Sequence, residues 1–361
     1  MSSEESRIIG ISETEEISVN KEKESKKLGF FEKFLPLWVA LCIFIGILLS
    51  IYIPGISQAI NAFSIGQISL PIGICLFLMM YPAMLNLQVS ELKKLGKNPK
   101  PIILTIVSNW LIAPFVGLLM ARIFLQGYEQ LIVAIILLSS SPCTAMVLVW
   151  GWMAEGNQEQ NVVNTSLNTI TIIFGYAPMV TLLTGIQNIP VDWILLLIST
   201  SIFIGLPLLL GIISKRLLIS IKGEDWFNNT YRPIVGKISI IALLTTLIIL
   251  FSMNGNVLIT NPGYLLLVSI PLLLGFVIVV GYNVIITKIF KLKYREAIIT
   301  VIIGSSSHFE IAIATAIAMP GYGIGSLAAL GTTMGLFWEV PVMLSIVYLG
   351  KFLRKKGFWK S

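Results

Sequence analysis

The sequence predicts an all-α, polytopic membrane protein: ten transmembrane helices built as a 5+5 inverted repeat, with both termini cytoplasmic. Three observations predict it. The composition is 56% hydrophobic and only 12% charged, where a soluble domain of this length carries about a quarter charged residues. The basic residues fall almost entirely on one side of the implied topology. A polar motif recurs about half a transmembrane region later.

Apolar runs of roughly 20 residues, each able to cross a hydrocarbon core about 30 Å thick, place the helices in order. They cover Phe34–Pro54, Gln67–Gln88, Pro101–Leu125, Gln130–Ala154 and Asn161–Gly185, then Val191–Leu217, Ile234–Met253, Gly263–Lys288, Glu296–Met319 and Gly323–Gly350. With the N-terminus inside, the segments on that side hold 24 of the 25 Lys and Arg residues, and Arg122 alone falls on the other. A miscounted helix would scramble that asymmetry, so the charges support ten spans of a cell-membrane protein with both ends in the cytoplasm. Residues 34–190 then form the first five-helix half and 191–350 the second. A Ser-, Glu- and Lys-rich stretch over 1–33 reads as a disordered cytoplasmic tail, and 351–361 as a basic one. The first residues lack the short basic start and small-residue cleavage site of a secretory signal.

The net charge of +7 reflects this topology and contact with anionic lipid, not nucleic-acid binding. Cys42, Cys75 and Cys143 lie inside apolar spans, with no metal-ligand spacing and no disulfide framework. No cofactor is expected. The single histidine has no HExxH or Ser–His–Asp context, which argues against an enzyme.

The repeat is carried by SSSPCTAM, from Ser139, and SSSHFEIA, from Ser305, which start 166 residues apart. FGYAPMV, from Phe174, and FWEVPVM, from Phe337, follow them, each with proline four residues after phenylalanine. Five helices per half is odd, so the second half enters from the opposite face. Such repeats place substrate and ion sites near the midplane on interrupted helices. Both serine triplets begin nine residues into their spans, about 14 Å deep at the helical rise.

Few groups in the spans can carry chemistry. A carboxylate at the centre of a membrane helix costs roughly 2.5–3.5 kcal/mol on insertion scales, so it reads as functional by default. Of the acidic residues only Glu310 and Glu339 sit well inside spans, and Glu310 lies on a helical face shared with Ser306 and Ser307; the alternative is a carboxyl that only ties the halves together. Glu339, just before Pro341, either satisfies local donors or carries a proton. Cys143 follows Pro142, whose missing N–H leaves the Leu138 carbonyl unpaired, and shares its face with Ser139 and Ser140. A buried cysteine is usually a small hydrophobe, which suits Cys42 and Cys75; the hydroxyls and helix break set Cys143 apart. On a regular helix His308 and Glu310 lie on different faces, leaving His308 a proton relay or an interhelical hydrogen bond. Asn109, Asn164 and Asn168 present amides, the last two on one face, for substrate or for interhelical bonding.

LFLMMYPAML, SNWLIAPF, SPCTAMVLVW, SSSHFEIAIATAIA and EVPVMLSIVY, in this order, resemble the arsenite-efflux permeases of the bile acid/arsenite/riboflavin transporter superfamily. The resemblance covers nearly the whole chain from helix 1 to helix 10. It implies a core and a panel domain, discontinuous helices 4 and 9 crossing at the site, and export of trivalent arsenic, and antimony, against protons. Cys143 matches the family's helix 4 cysteine, a candidate As(III) ligand, and Glu310 its helix 9 glutamate. Where the family commonly has Asn-Phe-Phe-Glu, this chain has Ser307-His308-Phe309-Glu310; where it has Asn-Asp in helix 5, this chain has Asn168-Thr169. The other reading within the superfamily is a sodium-coupled carrier of organic anions, in which Cys143 would have no role.

Overall fold

A computed structural model describes residues 34–53, 55–65, 68–85, 98–144, 146–319, 322–323 and 326–360. The expected tail over 1–33 lies outside the described residues. The chain divides into two compact units, Met1–Trp38 and Val39–Ser361; the first contributes residues 34–38, and the helix packing lies within the second.

The architecture is helical. Its one departure among the described residues is a two-residue antiparallel pair, β1 (Ser64–Ile65) with β2 (Ile68–Ser69). In chain order come α1 (Leu35–Tyr52), α2 (Ile56–Ala62), α3 (Leu70–Leu85), α4 (Pro99–Val107), α5 (Ala113–Phe124), α6 (Glu129–Ser139), α7 (Val147–Met153) and α8 (Gln158–Ile186). Then follow α9 (Trp193–Thr200), α10 (Leu206–Lys222), α11 (Glu224–Trp226), α12 (Arg232–Thr260), α13 (Gly263–Ile289), α14 (Tyr294–Gly304), α15 (Phe309–Ala318) and α16 (Leu327–Lys355). Single π-helical turns join α4 to α5, α9 to α10 and α11 to α12. In all three, a proline is the second residue of the helix that follows, Pro114, Pro207 and Pro233, and the wider turn absorbs its missing donor. Asn157 caps α8, accepting from Gln160 N at 3.2 Å, and Ser326 caps α16, accepting from Ala329 N at 3.1 Å.

Among the described residues six helices are long and apolar enough to cross a membrane: Pro99–Phe124, Gln158–Ile186, Leu196–Lys222, Glu224–Met253, Gly263–Ile289 and Leu327–Lys355. Shorter apolar helices cover Leu37–Tyr52, Leu70–Pro82, Glu129–Ser139 and Phe309–Ala318. Two expected spans, Gln130–Ala154 and Glu296–Met319, are each divided in two. One half-helix of each pair is enclosed all round: every residue of Leu131–Leu138 and of Phe309–Ile317 is buried. Large exposed apolar side chains such as Phe174, Leu266 and Val277 stand on the long helices instead, as a lipid-facing surface requires. Broken backbone at membrane depth is tolerated only where protein surrounds it.

The helices pack in two groups. α3 lies against α10 and α12, while α5, α6, α13, α14 and α16 pack on one another. Gly331 and Gly335, spaced as GxxxG on α16, let that helix close on α6. A Cβ on Gly331 would stand 2.7 Å from Ala134 Cβ, and one on Gly335 2.4 Å from Leu138 Cδ2. After α16 the chain straps back across the end of α13 and the start of α14. Tyr294 N donates to the Lys360 carbonyl at 2.9 Å, Trp359 Nε1 to Thr287 Oγ1 at 3.2 Å, and Tyr294 Oη to the Ala154 carbonyl at 2.7 Å.

Candidate functional site

The two helix breaks have different local causes and one shared outcome. At the first, Pro142 has no N–H to continue α6. The Leu138 carbonyl is not left unpaired as the sequence implied: Ser141 donates to it from Oγ at 2.9 Å and from N at 3.3 Å. The second break contains no proline. There the His308 N–H, which in a helix would reach Gly304, instead donates to the Ser141 carbonyl at 2.6 Å. The Gly304 carbonyl so released accepts from Ser108 Oγ at 2.7 Å, so that buried acceptor stays paired. Ser141 Oγ also lies 3.2 Å from the His308 carbonyl, and Pro142 and Ser307 form an antiparallel bridge. The two breaks are joined backbone to backbone.

This geometry regroups the side chains. His308 stands just before α15 with φ −102° and ψ 77°, so the helical-face argument that separated it from Glu310 fails. His308 Nδ1 lies 2.7 Å from Glu310 Oε2, with His308 1% exposed. For the same reason Ser306 and Ser307 do not share a helical face with Glu310. Ser307 Oγ donates to Glu339 Oε2 at 2.6 Å and Ser307 N lies 3.3 Å from Glu339 Oε1, while Ser306 Oγ donates to the Ile303 carbonyl at 3.0 Å. Ser139 and Ser140 likewise share no helical face with Cys143, since α6 ends at Ser139. Ser139 faces a cavity of about 60 Å³, lined also by Gly117, Pro271 and Ser305–Ser307.

Cys143 is reduced and 2% exposed. Its carbonyl accepts from Asn168 Nδ2 at 3.1 Å, and Asn168 Oδ1 accepts from Asn109 Nδ2 at 3.1 Å. A chain of amides thus ties α8 and the π turn after α4 to the first break. Asn164 Nδ2 donates to Thr105 Oγ1 at 3.1 Å. Around these groups Ser140 Oγ, Thr144 Oγ1, Asn164 Oδ1 and His308 Nε2 are buried without a protein partner. Polar atoms buried so deeply are normally satisfied, and these hydroxyl, carbonyl and imidazole groups can receive a small polar solute. Among the described residues no three Cys, His, Asp or Glu side chains cluster.

Sequence reasoning missed several members of this network. Thr105 and Ser108 precede Asn109 in LTIVSNW, and Ser141 closes the first serine triplet. Asn283 donates to Ser108 Oγ at 2.8 Å and to Ser305 Oγ at 3.1 Å. Its signal was available: it is the one carboxamide in α13.

Residues 73–261 match the sodium bile acid symporter family. The chain belongs to that family. Within the family, it is 35% identical to the arsenical-resistance protein Acr3 of Alkaliphilus metalliredigens, over 90% of this chain and 93% of that one. It is 29% identical to the arsenical-resistance protein Acr3 of Corynebacterium glutamicum, over 92% of each. An uncharacterised transporter of Synechocystis is 39% identical over 93% of this chain and 92% of its own length. These relatives bear out the resemblance that the five motifs carry. As a member of the sodium bile acid symporter family, the chain is a membrane transporter.

Proposed function

We propose that this transporter exports trivalent metalloid, arsenite and antimonite, from the cytoplasm as a proton antiporter of the cell membrane. The observation that carries the proposal is the joining of the two broken helices. It sets one thiol, several unpartnered hydroxyl, carbonyl and imidazole groups, and a carboxyl–imidazole pair on adjoining stretches of chain. The arsenical-resistance relatives supply the substrate. Arsenite at neutral pH is an uncharged trihydroxide, so hydroxyls and amides suit it. A lone thiol at Cys143 attracts As(III) without the grip of three, which would prevent release.

In this reading the chain forms ten spans in two inverted halves, 34–190 and 191–350, with both termini in the cytoplasm. The helices around the breaks form a core that rocks against the α3, α10 and α12 panel. Cys143, Ser139, Ser140, Ser306, Ser307, Asn109, Asn164 and Asn168 line or shape the substrate path. Glu310, paired with His308, takes up a proton while the site faces out and releases it inside as substrate loads; Glu339 is the second carboxyl in that relay. The order break, short helix, long helix occurs twice, at α6–α8 and α14–α16, which favours the inverted repeat.

Uptake of As(III) into everted vesicles tests the proposal. An acid-inside gradient is expected to drive uptake, and a sodium gradient to leave it unchanged. Uptake driven by sodium, or indifferent to protons, would reject the antiport.

A further inference from the structure

Away from the joined breaks, a second polar feature runs along α8. Gln160, Asn164 and Asn168 recur every four residues, one stripe about 12 Å long at the helical rise. At the Asn168 end lies the Cys143 carbonyl. At the other end is a cavity of about 90 Å³, with exposed Asn98 and Glu159 at its mouth and buried Gln160, Val163 and Ile102 at its base.

The amides of this stripe cannot be turned over. Gln160 Nε2 faces the Glu296 carbonyl and Thr300 Oγ1, each at 3.2 Å, and a carbonyl only accepts. Thr105 spends its hydroxyl hydrogen on the Pro101 carbonyl at 2.8 Å, so it must accept from Asn164 Nδ2. Gln160 Oε1 and Asn164 Oδ1 are therefore left as buried acceptors without a protein donor, on side chains 7% and 1% exposed. Such a group costs about 1–3 kcal/mol unless a ligand supplies the hydrogen. Among the described residues no lysine or arginine lines the cavity. An anion would meet a carboxylate and amide carbonyls there, whereas an uncharged solute bearing several O–H donors would meet acceptors.

We propose that this cavity is the first-contact site of the substrate on the cytoplasmic face. It receives a small, uncharged trihydroxide through the Gln160 carbonyl and passes it along the α8 stripe to Asn168 and Cys143. The proposal rests on the metalloid reading of the function and adds to it a place where the solute binds before it reaches the breaks.

The test compares initial rates of As(III) uptake into everted vesicles for the wild type, Gln160→Met and Val163→Phe. Gln160→Met removes the acceptor. Val163→Phe fills the cavity without touching a hydrogen bond, and carries the test if Gln160→Met fails to fold. The expected result is an apparent KM raised about five-fold, the worth of one hydrogen bond, with kcat held within about two-fold. Unchanged KM in both variants overturns the proposal. So does a changed sodium or proton dependence at unchanged KM, which would make the cavity an ion site. Failure of the wild type to move As(III) would instead reject the function on which the proposal rests.

Discussion

His308 Nδ1 and Glu310 Oε2 stand 2.7 Å apart, two residues apart in sequence, and they meet only because the chain between α14 and α15 is not helical. A regular helix would turn them some 200° from one another. The pair is buried, and its second ring nitrogen has no protein partner. If the pair handles the exchanged proton, His308→Ala lowers As(III) export about ten-fold, in line with loss of a hydrogen bond to a charged group. It also changes the pH dependence of the rate. Initial rates measured across the neutral range check this; an unaltered profile would remove His308 from proton coupling.

The backbone of Cys143 is held at the break by its carbonyl, which accepts from Asn168 Nδ2 at 3.1 Å. Cys143→Ala and Cys143→Ser keep the hydrogen bond from Asn168 and are expected to fold and melt like the wild type. Export falls about ten-fold or more, the scale of one contact worth 1.4 kcal/mol. Asn168→Leu does the opposite. It strands the Cys143 carbonyl and the Asn109 amide, lowering stability by about 2 kcal/mol or more, read as a lower melting point in detergent. Full export from both cysteine variants would remove the thiol from the mechanism.

Glu339 accepts two hydrogen bonds from Ser307, 32 residues earlier. Glu339→Gln keeps one acceptor, for the Ser307 N–H, and its amide nitrogen can donate to Ser307 Oγ instead, so it is expected to melt near the wild type while losing stimulation by a proton gradient. Glu339→Leu leaves two buried donors unpaired at about 1–3 kcal/mol each, and melts lower. Equal melting points for the two variants would show that these bonds carry no stability.

Glu155, in the turn between α7 and α8, faces Arg354 at 2.9 Å and Lys351 at 3.5 Å. Burial pushes its carboxyl up, but the hydrogen bond from Arg354 and the charge of Lys351 together hold it below the ordinary value. A depressed carboxyl adds stability above its unfolded pKa, and that stability is lost as pH falls through the folded value. Glu155 is more than half exposed, so the effect is under about 1 kcal/mol. Glu155→Gln should melt slightly lower at neutral pH, and the difference should close below about pH 4 and in molar salt.

The helical class and the half-buried runs were legible because apolar stretches near membrane length leave little choice of structure. Pro142 announced the first break. The second was legible only by analogy between the serine triplets, since SSSHFE contains no breaker and its geometry is set by Ser141 and Ser108 from elsewhere in the chain. Arguments from helical faces therefore failed between Glu310 and Ser306, Ser307 or His308, because those three residues precede α15 and are not helical. They served for Asn164 and Asn168, which lie on unbroken α8. Long-range partners such as Asn283 and Glu339 leave no trace in local spacing.

The bridge between Pro142 and Ser307 has a consequence for how the molecule breathes. The His308 amide hydrogen sits in a bond to Ser141, on a segment 167 residues away, and so is released only when the two crossing stretches part together. Fraying of either half-helix alone leaves it protected. Its hydrogen–deuterium exchange should therefore be slow and should follow the cooperative opening of the core rather than local motion. One backbone proton would then report when the transporter comes apart at its centre.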